Sequence, residues 1–206
     1  MDHSVLSAMA RWPNVPAVYG YLGLNRRGDF LLQGRVVTHP RTREFIHRNY
    51  ALDDQGRAFF QNGPQRAYAD LEATPWIYRL MDDGHIRTHT DQPAQELREA
   101  RLTPDGDVLL VTELGPGLVH DQDLDRLAEH LHPCEPDEPD TAADRLQSDA
   151  SGQQILKLPH GHAPLVMLDT RNIANRFRFD PFPEPAPKAA AAVSEHRPAW
   201  RPSNGE

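Results

Sequence analysis

Cysteine is nearly absent from this chain of 206 residues. Cys134 stands alone, so no disulfide closes within the chain and no thiolate cage for a metal is assembled from it. Lysine is almost as scarce, twenty of the 22 basic residues being arginine. No apolar run approaches the roughly 18 residues that a membrane helix needs. The opening MDHSVLSAMARWPNVP has no basic run before its weakly apolar stretch, which argues against a secretory signal. The expectation is a reducing, cytoplasmic setting with no membrane partner. Catalytic signatures are missing too: there is no G-x-S-x-G, no H-E-x-x-H and no phosphate-cradling glycine loop.

Apolar content is modest, at 38% with a mean hydropathy of −0.66, so part of the chain is expected to lack a core. The polar excess is local. Residues 133–152 form an acidic stretch that reads as a flexible linker, and residues 181–206, rich in Pro and Ala, read as a disordered tail. Between them, 153–180 is expected to dock a strand and a helix back onto a main domain at 1–132. Residues 11–50 lean the other way, with seven arginines and two acids. Such a front suits phosphate or an acidic partner, but arginine is used throughout the chain, so nucleic acid binding is not favoured.

What the chain does have is a repeated phrase. LNRRG, LDDQG and LTPDG each place glycine four residues after leucine, at Gly28, Gly56 and Gly106, and each leads into apolar residues. A short connection ending in a left-handed glycine joins antiparallel strands, because glycine alone enters that region without steric cost. The pattern predicts an α+β fold: an antiparallel, hairpin-built sheet with a few short helices packed on it.

Along the chain, VPAVYGYLGL reads as a first strand and HPRTREFIHRNY as a helix opened by Pro40, with Arg41, Glu44 and Arg48 on its wet face. Alternation of Ala67, Ala69 and Leu71 with Tyr68, Asp70 and Glu72 marks a strand, as does the shared face of Trp76, Tyr78 and Leu80. DQPAQELREA suggests one helical turn, VLLVTEL a central strand, and LVHDQDLDRLAEHLHP the clearest helix, capped by Asp121. ILKLPHGHAPLVMLD is expected to hold one strand, Leu165 to Leu168.

This layout resembles a bacterial family of domains of unknown function. The matching residues are Gly28, Phe30, Gly34, the helix around Phe45, Gly56, Phe59, Phe60, Pro64, Glu72, Pro75 and Trp76, over roughly residues 15–130. The resemblance implies a fold of repeated strand–helix motifs and a signalling or ligand-binding role. It lends no catalytic residues, and FFQNGPQR departs from its pattern.

Three constellations carry candidate chemistry. The turn after Asn62-Gly63-Pro64 presents Gln65 and Arg66; with Arg48 and Glu72 they form the favoured surface for a small molecule or a protein partner, because guanidinium clamps carboxylate or phosphate. Glu72 with His85 or His89 would be the acid–base pair of a small hydrolase. His130 and His132, beside Cys134, with His160 and His162 downstream, would be the ligands of a metal, though their spacing matches no recognised site. No cofactor is expected. An oligomeric scaffold is the remaining alternative, and Trp200, between Arg and Pro residues, suits a docking motif.

Overall fold

The computed structural model describes residues 1–133, 154–168 and 173–185. All of the expected linker but Pro133, with Cys134 and Trp200, falls outside those residues, as do the last 21 residues of the expected tail.

Four turns, not three, organise the chain. Gly28, Gly56, Gly84 and Gly106 have φ of +85°, +73°, +79° and +85°. In each, the glycine N–H donates to the carbonyl three residues back, on Asn25, Asp53, Met81 and Thr103, and each of those residues donates its own N–H to a carbonyl four residues on. In three of them a side chain completes the loop. Asn25 Oδ1, Asp53 Oδ1 and Thr103 Oγ1 accept from the backbone N–H of Asp29, Arg57 and Asp107. At the fourth, Met81 has no acceptor to offer, and Asp83 Oδ1 takes the N–H of His85 instead.

These turns build two sheets. The first holds β1 (Val18–Leu24), β2 (Phe30–Leu32), β3 (Arg35–Val36), β4 (Tyr50–Leu52), β5 (Ala58–Asn62) and β6 (Gln65–Leu71), in the order β3-β2-β1-β6-β5-β4. The second holds β7 (Trp76–Leu80), β8 (Ile86–Thr88), β9 (Leu97–Leu102), β10 (Val108–Thr112), β11 (Gly115–Val119), β12 (Leu131–Pro133), β13 (Gln154–Leu158) and β14 (Gly161–Met167), in the order β12-β13-β14-β9-β10-β11-β7-β8. The chain is therefore α+β, but the sheets are mixed: β1 and β6, β7 and β11, and β14 and β9 pair in parallel.

The same unit is written twice. In residues 18–71 the hairpin β1-β2 lies beside the meander β4-β5-β6, with β1 and β6 parallel at the centre. In residues 76–119 the hairpin β7-β8 lies beside the meander β9-β10-β11, with β7 and β11 parallel at the centre. Besides the short edge strand β3 of repeat one, a helix separates the copies. Repeat one inserts α2 (Pro40–Arg48) before its meander, whereas repeat two crosses the same gap through residues 89–96 without a helix.

One apolar cluster joins the two sheets. Leu22, Leu24, Phe30, Tyr50, Phe60 and Leu71 of the first meet Trp76, Tyr78, Leu80, Ile86 and Leu110 of the second, with Ile46 from α2. Each fully buried leucine contributes about 2 kcal/mol of transfer free energy to such a core. The turn at Gly28 locks the seam, because Arg26 reaches Asp107 and Arg27 reaches Asp121, each at 2.6 Å. Behind β14, α4 (Ile173–Phe177) precedes a segment that returns to repeat one: the Asp180 N–H donates to the Gly56 carbonyl and the Leu71 N–H to the Pro181 carbonyl.

Local preference loses to strand pairing in three places. DQPAQELREA supplies β9, held between β10 and β14, rather than a helical turn. The expected long helix is a 3-10 turn at Asp121–Asp123 followed by α3 (Leu124–Ala128), and His120, not Asp121, caps it, its side chain accepting from the Gln122 N–H. It stops there because β12 pairs with β13, Leu131 opposite Leu156. ILKLPHGHAPLVMLD forms the two strands β13 and β14, turned at His160. Among the described residues, no helix is long and apolar enough to cross a membrane.

Candidate functional site

A cleft of about 560 Å³ opens on the seam. Repeat one lends Arg27 and Asp29 from its first turn and Arg43 and His47, one helical turn apart on α2. Repeat two lends Arg79 from β7, Asp82 from the turn that follows, Arg87 from β8, and His89 and Asp91 beyond it; Arg126 comes from α3.

Five arginines thus face three aspartates, and most are already partnered. Arg27 uses one terminal nitrogen on Asp121. Arg79 donates through Nε to Asp123 at 2.6 Å, a carboxylate only 3% exposed that also accepts from the Leu80 N–H. Arg126 reaches the Leu80 carbonyl and Asp82. Arg87 spends one nitrogen on the carbonyl and carboxylate of Asp91. Arg43 is exposed, and its guanidinium has no ion-pair partner among the described residues. A guanidinium carries five N–H donors, so Arg27, Arg43 and Arg87 keep most of theirs for something else.

The inner wall is imidazole. The Ile77 N–H donates to His89 Nδ1 at 3.2 Å, which leaves the ring proton on Nε2. Nε2 is buried and meets no acceptor among the described residues. Phe30, Tyr50 and Trp76 surround the ring at centroid distances of 5.3, 5.2 and 5.8 Å. Burial there pushes its pKa down to about 3, with the neighbouring His47 a smaller contribution. His47 is itself shifted down, first by burial and then by the charge of Arg43. Both rings are neutral near pH 7, so the positive charge of the cleft is arginine's alone.

A second cleft, about 390 Å³, opens on the other side of the first turn and has the opposite character. Leu71, Leu109, Leu118, Ile173 and Phe179 form its apolar walls; Glu72, Asp105 and Asp107 stand at its rim with Arg26. Adjacent arginines of one turn therefore point to different clefts.

The residues singled out from the sequence are spread over the molecule. Glu72 lies in the second cleft, accepting from the Arg26 N–H at 3.0 Å. Arg48 pairs with Asp2 and Glu44 beside a recess that it shares with Arg43 and His47. Gln65 Nε2 donates to the Pro16 carbonyl. Arg66 lies 3.9 Å over the Phe59 ring, on a patch that also holds the stacked rings of Tyr19 and Tyr68. His85 meets the ring of His160 at 4.6 Å and pairs with Asp83. Neither His85 nor His89 hydrogen-bonds to Glu72. His132 faces Ile155 across β12 and β13, His162 faces Lys157 across β13 and β14, and the His130 carbonyl accepts from the Lys157 N–H. Among the described residues, no group of three His, Cys, Asp or Glu side chains is arranged to hold a metal ion.

Arg43, Arg79, Arg87 and Arg126 escape a reading of the sequence because four different elements deliver them. The basic excess of residues 11–50 is the one signal, and it covers only Arg27 and Arg43.

The sequence model of a family described as "Protein of unknown function (DUF2946)" matches residues 1–184, and the chain belongs to that family. No curated protein matches it. Among solved structures it is similar to a DUF1285 family protein from Silicibacter pomeroyi DSS-3, at 15% identity and a TM-score of 0.50, over 85% of this chain and all of that one. That likeness is one of fold. A DUF1285 family protein from Shewanella baltica OS155 also matches, at 14% identity and a TM-score of 0.41, over 53% of this chain and 91% of that one.

Proposed function

We propose that this protein is a non-catalytic binding module whose small-molecule ligand occupies the arginine-lined cleft between the two repeats. The observation that carries the reading is the cleft's composition from both copies: α2, present only in repeat one, supplies Arg43 and His47, while the helix-free crossing of repeat two supplies His89 and Asp91. Ligands settle in concave sites where structural units meet and a few polar groups converge. A molecule held by both repeats changes how firmly they are joined, which suits a regulatory role. The cytoplasmic expectation fits a chain with a single cysteine.

The separation of Glu72 from His85 and His89 supports a module without acid–base chemistry, since a general base must stand within hydrogen-bond reach of its proton partner. The test is thermal denaturation of the full chain against a broad set of metabolites, beside an Arg43→Ala/Arg87→Ala variant. Compounds that stabilise the natural chain and not the variant are expected. A set in which every stabiliser acts equally on both would overturn the reading.

A further inference from the structure

The two clefts differ in charge, and the difference names a ligand class. We infer that the seam cleft takes an oxyanion of at least two charges, phosphoryl or polycarboxylate, gripped by Arg43 with the free edges of Arg27 and Arg87. The inference rests on the binding-module reading and adds the chemistry of the ligand to it.

The whole chain carries a net charge of −8, so five arginines around one recess are a local reversal. The second cleft follows the overall balance, with three carboxylates and one arginine. Structural ion pairs account for part of the reversal: Arg79 and Arg126 are tied to Asp123 and Asp82 and hold β7, its turn and α3 together. They do not account for Arg43, which has no ion-pair partner among the described residues, nor for the unused donors of Arg27 and Arg87. Arg27 is 60% exposed in its side chain and Arg87 42%, so those edges are open to solvent. Planar guanidinium edges match carboxylate and phosphate in pairs of parallel N–H···O bonds, and one such group does not satisfy three arginines; an anion with several oxygens does. Asp29, Asp82 and Asp91 on the same walls repel any anion, so binding requires a ligand that engages several arginines together.

Arginine stays charged across the working pH range, and the two histidines of the inner wall are held neutral by burial. Affinity for such an anion is therefore expected to be flat between pH 7 and 8 and to fall with ionic strength.

The experiment is isothermal titration of the full chain, at fixed ionic strength, with pyrophosphate, citrate and the triamine spermidine. Pyrophosphate or citrate is expected to bind and spermidine not to. The tighter of the two anions identifies the headgroup as phosphoryl or carboxylate. Arg43→Ala is expected to weaken that anion at least tenfold, and Arg87→Ala likewise. Arg98→Ala, which removes an exposed partner of Glu96 outside the cleft, is expected to leave it unchanged. Anion binding that survives both cleft substitutions, or no binding by either anion, overturns the inference. If neither anion binds while an uncharged metabolite still loses affinity in Arg43→Ala, the cleft reading stands and the ligand class alone fails.

Discussion

A Cβ placed on Gly28 would stand 2.6 Å from the Cβ of His89, which makes the first turn of repeat one and the helix-free crossing of repeat two a single fitted joint. The glycine is required twice over, by a φ of +85° and by the contact. Gly106 has the same φ and nothing within 4 Å. The pair separates the two costs. Gly106→Ala is expected to destabilise by about 1 to 2 kcal/mol, the penalty of a left-handed residue, and Gly106→Asn by less. Gly28→Ala adds overpacking against His89, for a total of about 3 kcal/mol, and asparagine does not rescue it. Urea denaturation of the four variants checks the ordering.

Gly56 serves the C-terminal segment in the same way. A Cβ there would collide with the Arg178 carbonyl and come within 2.8 Å of the Phe179 Cα. Gly56→Ala is expected to lift this segment from the sheet and to free the hydrogen bonds that Gly56 and Leu71 make with Asp180 and Pro181. Limited trypsin digestion, followed by intact mass, reads the outcome: cleavage after Arg176 and Arg178 should be many times faster than in the natural chain.

Acid should weaken the fold before the carboxylates titrate. In the unfolded chain His89 takes a proton near pH 6.5, and in the folded chain only near pH 3. Its contribution is therefore complete above pH 6.5 and is lost as pH falls through the window between those values, at about 1.4 kcal/mol per pH unit. Burial lowers His47, His120 and His160 as well, and adds to the slope in the same direction. Urea midpoints at pH 7.5, 6 and 5 should decline steadily. His89→Gln, which keeps an acceptor for the Ile77 N–H, should flatten the decline.

Asp123 holds the far wall of the cleft. Its carboxylate accepts from Arg79 and from the Leu80 N–H while almost fully buried. Asp123→Ala leaves the buried Leu80 N–H without its acceptor and the half-exposed Arg79 without its partner, and is expected to cost about 1 to 3 kcal/mol. Asp123→Asn retains one acceptor and should cost less. Chemical denaturation measures both, and loss of ligand stabilisation in the asparagine variant would show that the wall also positions Arg79.

The hairpins were legible because their turns are spelled out locally. Leu-x-x-x-Gly marks all four, and in three of them the capping side chains Asn25, Asp53 and Thr103 strengthen it. The turn at Leu80–Gly84 has the same spacing but begins with Met81, which accepts no hydrogen bond, and so reads only as a polar bend. Read as a turn into the IRTHT strand but not as a copy of the glycine turns, it hides the duplication, since the second hairpin is what makes the two halves equivalent. β9 and β12 were illegible for another reason: LREARL and the end of LAEHLHP carry helical preference, and they are strands because β10 and β14 flank the one and β13 pairs with the other, hydrogen bonds that no local pattern records. The family resemblance, in contrast, rested on the turn glycines and aromatics and is upheld by the match over residues 1–184. The cleft was out of reach, because its five arginines come from positions 27 to 126 and converge only when the repeats close on each other.

Native mass spectrometry of the full chain from its own cells reads whether the seam cleft is filled. A retained small molecule is expected on the natural protein, released on gentle denaturation and missing from the Arg43→Ala/Arg87→Ala variant prepared in parallel. A bare natural chain, or an adduct equally abundant on both proteins, would contradict that expectation.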